Sequence, residues 1–111
     1  MSNEVLDLTA FSKAITTLSE ALNEYEKDKT NTFVRDSCIQ RFKYCYDMSQ
    51  SFVIQYQKTN SSKWNVYRVI RDKTLDAYDE NIAIDIVEQL PKFYDEIVLL
   101  LSNIKKSNKA Q

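Results

Sequence analysis

Chemically useful side chains are densest between Val69 and Glu80, in the string VIRDKTLDAYDE. Arg71, Asp72, Lys73, Asp76, Tyr78, Asp79 and Glu80 fall within ten consecutive positions there. A guanidinium such as that of Arg71 can hold a phosphate or a carboxylate through two parallel N–H bonds. Lys73 and Asp72 flank it as further candidates for phosphate or partner binding, and Tyr78 offers a hydroxyl close by. The same residues also suit a plainer arrangement. Asp76 or Asp79 then caps the helix that follows, and Arg71 makes a surface salt bridge. Spacing alone leaves both arrangements open.

The missing residue types narrow the chemistry. The chain contains no histidine. That excludes Ser–His and Cys–His nucleophile pairs and a His-ligated zinc. Acid–base work falls to Asp, Glu, Lys, Tyr or Cys. A di-metal site of the helical-bundle type needs Glu-x-x-His motifs and cannot be built. Neither a metal site nor a cofactor is therefore expected, and Glu20, Glu24 and Glu26 read as a solvated helix surface. The chain also contains no glycine. Phosphate-cradling loops and tight two-residue hairpins both depend on glycine backbone, so a many-stranded β fold is disfavoured. Cys38 and Cys45 lie two helical turns apart, roughly 10 Å along an axis. That is too far for a disulfide, and they read as two small buried hydrophobes.

The elements that must position these groups are legible as apolar stripes at helical spacing. Leu8, Phe11, Ile15, Leu18, Leu22 and Tyr25 predict a helix over Thr9 to Lys27, capped by Asp7 or Thr9. The polar run from Lys27 to Thr32 is a loop. Val34, Cys38, Phe42, Cys45, Ser49, Phe52 and Tyr56 predict a second helix from Thr32 to Lys58. Ile39, Tyr46 and Val53 widen its stripe, so it should sit centrally and touch several neighbours. Thr59 to Ser62 is a loop. Trp64, Tyr67, Ile70 and Leu75 predict a third helix over Lys63 to Leu75. The fourth starts after Asp76 to Asp79 and runs to about Ile104 along Ala83, Ile86, Leu90, Phe93, Ile97, Leu100 and Ile104. Pro91 lies inside it and predicts a kink near Val87 to Pro91. The expected fold is all-α, an antiparallel up-and-down bundle of four main helices. Residues 1–111 form a single domain, with 105–111 a frayed tail.

Composition fits that picture. The chain is 43% hydrophobic and 28% charged, with 15 basic and 16 acidic residues. A net charge of −1 exerts no strong pull on nucleic acid or an anionic membrane. No apolar run approaches the roughly 18–20 residues of a membrane span, and MSNEVLDL lacks the basic start of a signal peptide. The chain reads as cytoplasmic.

Three blocks carry a resemblance. The stretch FVRDSCIQRFKYCYDMSQSF resembles the RDxxIQRFExxYELAWK helix of the nucleotidyltransferase substrate-binding proteins, a branch of the HEPN superfamily that includes the HepT toxins. The spacing from Arg35 to Tyr46 matches without a gap. Trp64 and the string Arg71 to Glu80 are similar to a tryptophan followed by RNxxxHxYDE. AIDIVEQLPKFYDEIVLLL resembles the last helix of the family, proline included. The resemblance spans roughly Leu6 to Ile104. It implies an all-α bundle that dimerises and pairs with a small nucleotidyltransferase. In active relatives, Arg-x4-6-His forms a metal-independent ribonuclease site. In toxin–antitoxin versions the transferase adenylylates the tyrosine of Arg-x4-His-x-Tyr. Carried onto this chain, Arg71 matches the arginine and Tyr78 the tyrosine.

The departures matter as much. Asp76 stands where the histidine is expected, and Asp72 follows the arginine. Cleavage through a 2′-hydroxyl needs a base and a proton donor near neutral pH, which imidazole supplies. An ordinary aspartate titrates near ~4 and cannot donate. Gln50 and Ser51 replace an aromatic and a basic residue, and the segment from Thr59 to Ser62 is shorter than usual. The expected function is therefore a non-catalytic binding partner of a nucleotidyltransferase, with Tyr78 as a modification site. One alternative is an RNA-cleaving toxin with an altered site that uses Tyr78 or Lys73. Another is a purely structural dimer.

A homodimer is expected on apolar grounds too. The second helix carries aromatics on more sides than a small bundle can cover: Phe33, Phe42, Tyr44, Tyr46, Phe52 and Tyr56. Excess apolar surface marks an interface. Phe42, Tyr46, Phe52 and Trp64 are the candidate contacts. Otherwise some of the tyrosines lie flat on the surface with their hydroxyls in water.

Overall fold

The computed structural model describes residues 7–56 and 61–109. Over these residues the chain is an all-helical bundle. The order is α1 (Thr9–Lys27), α2 (Thr32–Tyr56), α3 (Ser61–Lys73), a single 3₁₀ turn (Thr74–Asp76), α4 (Glu80–Glu88) and α5 (Leu90–Lys109).

Short side-chain bonds to the backbone mark the element boundaries, although the N-cap of α1 is Leu8, without a side-chain cap bond, and not Asp7 or Thr9. Asp7 Oδ1 accepts the Thr9 N–H at 3.0 Å ahead of α1. Between α1 and α2, Asp28 Oδ1 accepts the Thr30 N–H at 3.0 Å. Asn31 Oδ1 accepts the N–H groups of Phe33 and Val34, both at 3.1 Å, which caps α2. Among the described residues none has a positive φ. The turns stay extended, as at Asp28, or right-handed, as at Ala77 and Gln89. A chain that avoids the left-handed C-cap has no need of glycine.

α2 packs against α1, α3, α4 and α5, the central position expected of it. The core is aromatic where α2, α3 and α5 meet. Phe93 of α5 receives Phe42 edge-on at 4.8 Å, Tyr67 at 5.1 Å and Trp64 at 5.8 Å. Cys38 and Cys45 are free and fully buried on α2. Burial pushes their thiols up to about 11 and about 12.

Several boundaries differ from expectation. The last element is two helices. Gln89 leaves α4, and its N–H turns back onto the carbonyls of Ile86 and Val87. Pro91 is the second residue of α5, in a first turn whose N–H groups have no helical acceptor to lose. The proline therefore helps to start a helix rather than bend one, and the described residues form five α-helices. The tail expected to fray at 105–111 is helical through Lys109. Ile104 is fully buried and anchors it, and Lys106 and Lys109 sit favourably at the negative end of the helix. Ser61 and Ser62 belong to α3, whereas Lys58, Thr59 and Asn60 lie outside the described residues.

The side chains read from the sequence as dimer contacts lie largely inside the single chain. Phe42, Tyr46 and Trp64 are buried within a single chain, and Phe52 is half-buried with its ring stacked on Phe11 at 4.9 Å. Their rings pack against the chain's own α1, α3 and α5. Tyr44 is partly covered and its hydroxyl pairs with that of Thr17 at 2.9 Å. Phe33 alone of that set stands clear, 87% exposed. The Tyr56 side chain lies outside the described residues.

Candidate functional site

Arg71 occupies the last turn of α3, where the helix packs on α2. Its Nε donates to Asp47 Oδ1 at 3.1 Å and its Nη2 to Asp47 Oδ2 at 3.0 Å. The third arm, Nη1, reaches the Thr74 hydroxyl at 3.3 Å. That hydroxyl donates in turn to the Arg71 carbonyl at 2.7 Å. The hydrogen bonds to Asp47 hold the guanidinium above its ordinary range, against a smaller opposing effect of partial burial. The bidentate fork anticipated for Arg71 is present, and its acceptor is a carboxylate of the same chain. An incoming phosphate would have to displace Asp47. Nothing in the sequence flags Asp47 or Thr74 as its partners, since Asp47 lies 24 residues away and meets it only through the packing of α2 on α3.

Of the other charges of the string, Asp72 acts on Arg71 through its charge alone, after the larger effect of Asp47. Lys73 Nζ lies 3.9 Å from Asp85 Oδ2 on α4. Asp72 and Asp76 are exposed. The Tyr46 phenol is raised by burial, with a bond to Gln50 and the charge of Arg68 working the other way.

Tyr78 sits in the turn between the 3₁₀ segment and α4. Both ends of that turn are pinned. The Ala77 N–H bonds to the Thr74 carbonyl at 3.2 Å, and the Asp79 N–H to the Asp76 carbonyl at 3.0 Å. Asp79 is the cap of α4: its Oδ1 accepts the N–H groups of Asn81 at 2.9 Å and Ile82 at 3.2 Å. Of the two candidates, Asp79 takes that role and Asp76 does not. Arg35 Nη1 lies 3.8 Å from Glu80, which ties the start of α4 to α2. The Tyr78 side chain is 89% exposed and Leu75 beside it 77%.

A groove of about 260 Å³ runs beneath Tyr78, lined by Asp36, Ile39, Gln40, Lys43, Thr74 and Ala77. Thr74 links the two halves of the string, since it bonds Arg71 and also lines this groove. A second cleft, of about 280 Å³, lies between Tyr67, Glu88, Gln89, Lys92 and Glu96. The Tyr67 hydroxyl donates to Glu96 at its wall. Among the described residues no three acidic or cysteine side chains gather to hold a metal ion.

The family model described as "nucleotidyltransferase substrate binding protein like" matches residues 6–63. The match takes in α1, α2 and the first residues of α3, and it ends before Arg71. No curated protein and no solved structure matches.

Proposed function

The chain belongs to the nucleotidyltransferase substrate-binding protein-like family, and on that premise we propose that it is the non-catalytic, HEPN-type partner of a small nucleotidyltransferase in the cytoplasm. Tyr78 is the hydroxyl it presents. The carrying observation is the placement of Tyr78: almost fully exposed, beside a groove, on a turn pinned at both ends. A transferase can reach such a phenol without unfolding anything, and a fixed acceptor lowers the entropic cost of lining it up.

The transfer balances simply. The phenolic oxygen of Tyr78 attacks the α-phosphorus of a nucleoside triphosphate, and an O–P bond forms. The bond from that phosphorus to the bridging oxygen breaks, and pyrophosphate leaves with the electron pair. The phenolic proton passes to a base on the transferase, which also brings the metal–nucleotide complex. In this pairing the bundle supplies the acceptor and the docking surface.

Two observations count against the nuclease alternative. Asp76, at the position of the expected base, is an exposed carboxylate, and the fork of Arg71 is filled by Asp47. The toxin–antitoxin setting implied by the resemblance belongs to this proposal and is tested with it. Mixing the chain with its cognate nucleotidyltransferase should give a stable complex on a sizing column. Tyr78→Phe should retain that complex, because only a hydroxyl is lost from an exposed ring. Failure of the wild-type pair to associate would contradict the proposal.

A further inference from the structure

The groove beneath Tyr78 has two walls. Arg71 pairs with Asp47 and Glu80 lies against Arg35, so the stretch from 71 to 80 runs antiparallel beside α2. That course sets Thr74, Ala77 and Tyr78 along one side of the groove. Asp36, Ile39, Gln40 and Lys43 form the other, at the i, i+3, i+4, i+7 spacing of a single helix face. They cover about 10 Å of α2.

Ile39 is buried and Ala77 half-buried, which gives the groove an apolar floor. The Thr74 hydroxyl is taken by Arg71, and the Asp36 carboxylate by Arg35. Gln40 and Lys43 are left. Among the described residues neither side chain takes part in a hydrogen bond or an ion pair. Lys43 is half-buried and is the one cation among the lining residues. The groove thus offers an ammonium group, a primary amide that can both donate and accept, and a flat apolar floor. Its volume of about 260 Å³ falls short of the roughly 300–1,000 Å³ of a site that encloses a whole free ligand. A small open groove of this kind holds best a guest that is tethered beside it, because a short tether keeps the local concentration high.

A nucleotidyl group on the Tyr78 oxygen is such a guest. Its phosphodiester keeps one negative charge, its base has an apolar face and a hydrogen-bonding edge, and its tether is itself a wall of the groove. We propose that the transferred nucleotidyl group folds back into this groove, with Lys43 holding the phosphodiester, Ile39 and Ala77 under the base, and Gln40 at its edge. The inference rests on Tyr78 as the acceptor and adds where the group goes once attached. The attached group then bridges α2 and the turn, and its phosphodiester is shielded from hydrolysis.

Nuclear magnetic resonance of the chain before and after transfer tests it. The transferase, ATP and Mg²⁺ supply the modified sample, and its mass is checked first. The side-chain amide of Gln40 and the backbone amides from Ile39 to Lys43 should shift, although they lie far from Tyr78 in sequence. Shifts confined to the neighbours of Tyr78 would mean a group trailing in solvent. That result overturns the groove and leaves the acceptor role standing. This comparison needs no variant to fold. Lys43→Gln gives a second readout, compared per modified chain. A phosphodiesterase should release the nucleotide from it about tenfold faster than from the wild type, since a hydrogen bond to a charged group is lost. Equal release from both would overturn the proposal. A mass that never changes would overturn the acceptor role and this inference with it.

Discussion

Cys38 and Cys45 put a measurable pH dependence on single residues. Burial raises both thiols from 9.0, to about 11 and about 12. The folded chain therefore keeps two protons that the unfolded chain sheds above about pH 9. Their contribution to stability is complete below pH 9 and is lost as pH rises through 11 to 12. The melting temperature should fall across that window, helped by Tyr46 and Tyr67, whose phenols burial also raises from 10.0. Cys45→Ala should flatten the fall, as read by thermal melts at half-unit steps from pH 8 to 11. Residue-scale legibility was uneven. The apolar nature of the cysteines followed from spacing on one helix. The acceptor of Arg71 did not, because Asp47 reaches it through the packing of two helices and not through sequence proximity. The resemblance supplied the string from Arg71 to Tyr78, yet the family match ends at residue 63, so the role proposed for Tyr78 is supported by its exposure and fixed geometry.

At the scale of elements, the junction ahead of α4 matters most to the proposed function, because it holds Tyr78. Asp79 closes it by accepting two N–H groups. Asp79→Ala should cost about 0.5–2 kcal/mol, seen as a lower denaturant midpoint. The amides of Asn81 and Ile82 should exchange faster with solvent, while α1 keeps its protection. The bounds of α1 were readable in full, since a one-sided stripe ends in a polar run. The break at Gln89 was not. The apolar stripe continues across it because α4 and α5 turn the same side to the core, so periodicity reads straight through a change of axis. Only the local backbone, with Pro91 placed where a missing N–H costs nothing, decides between a kink and two helices.

For the whole molecule, the aromatic junction at Phe93 joins α2, α3 and α5, and the chain should unfold as one unit. Phe93→Ala should cost about 3–5 kcal/mol. Trp64, the only tryptophan, packs on Phe93, so its fluorescence and the helical signal should move together in both proteins. Separate transitions would argue against a single cooperative domain. That junction also explains why side chains read from the sequence as dimer contacts lie inside the single chain. Apolar side chains carry no label separating core from interface, and five helices cover more of α2 than four would. The bundle measures 49 × 25 × 17 Å. No helix among the described residues is long and apolar enough to cross a membrane. The proposed docking surface is the turn that displays Tyr78. The most direct test of the account is the mass of the chain after incubation with its transferase, ATP and Mg²⁺. The account predicts one added nucleotidyl group, located to the peptide that contains Tyr78 and absent from Tyr78→Phe. An unchanged mass in a sample that forms the complex, or a group carried on another residue, would contradict it.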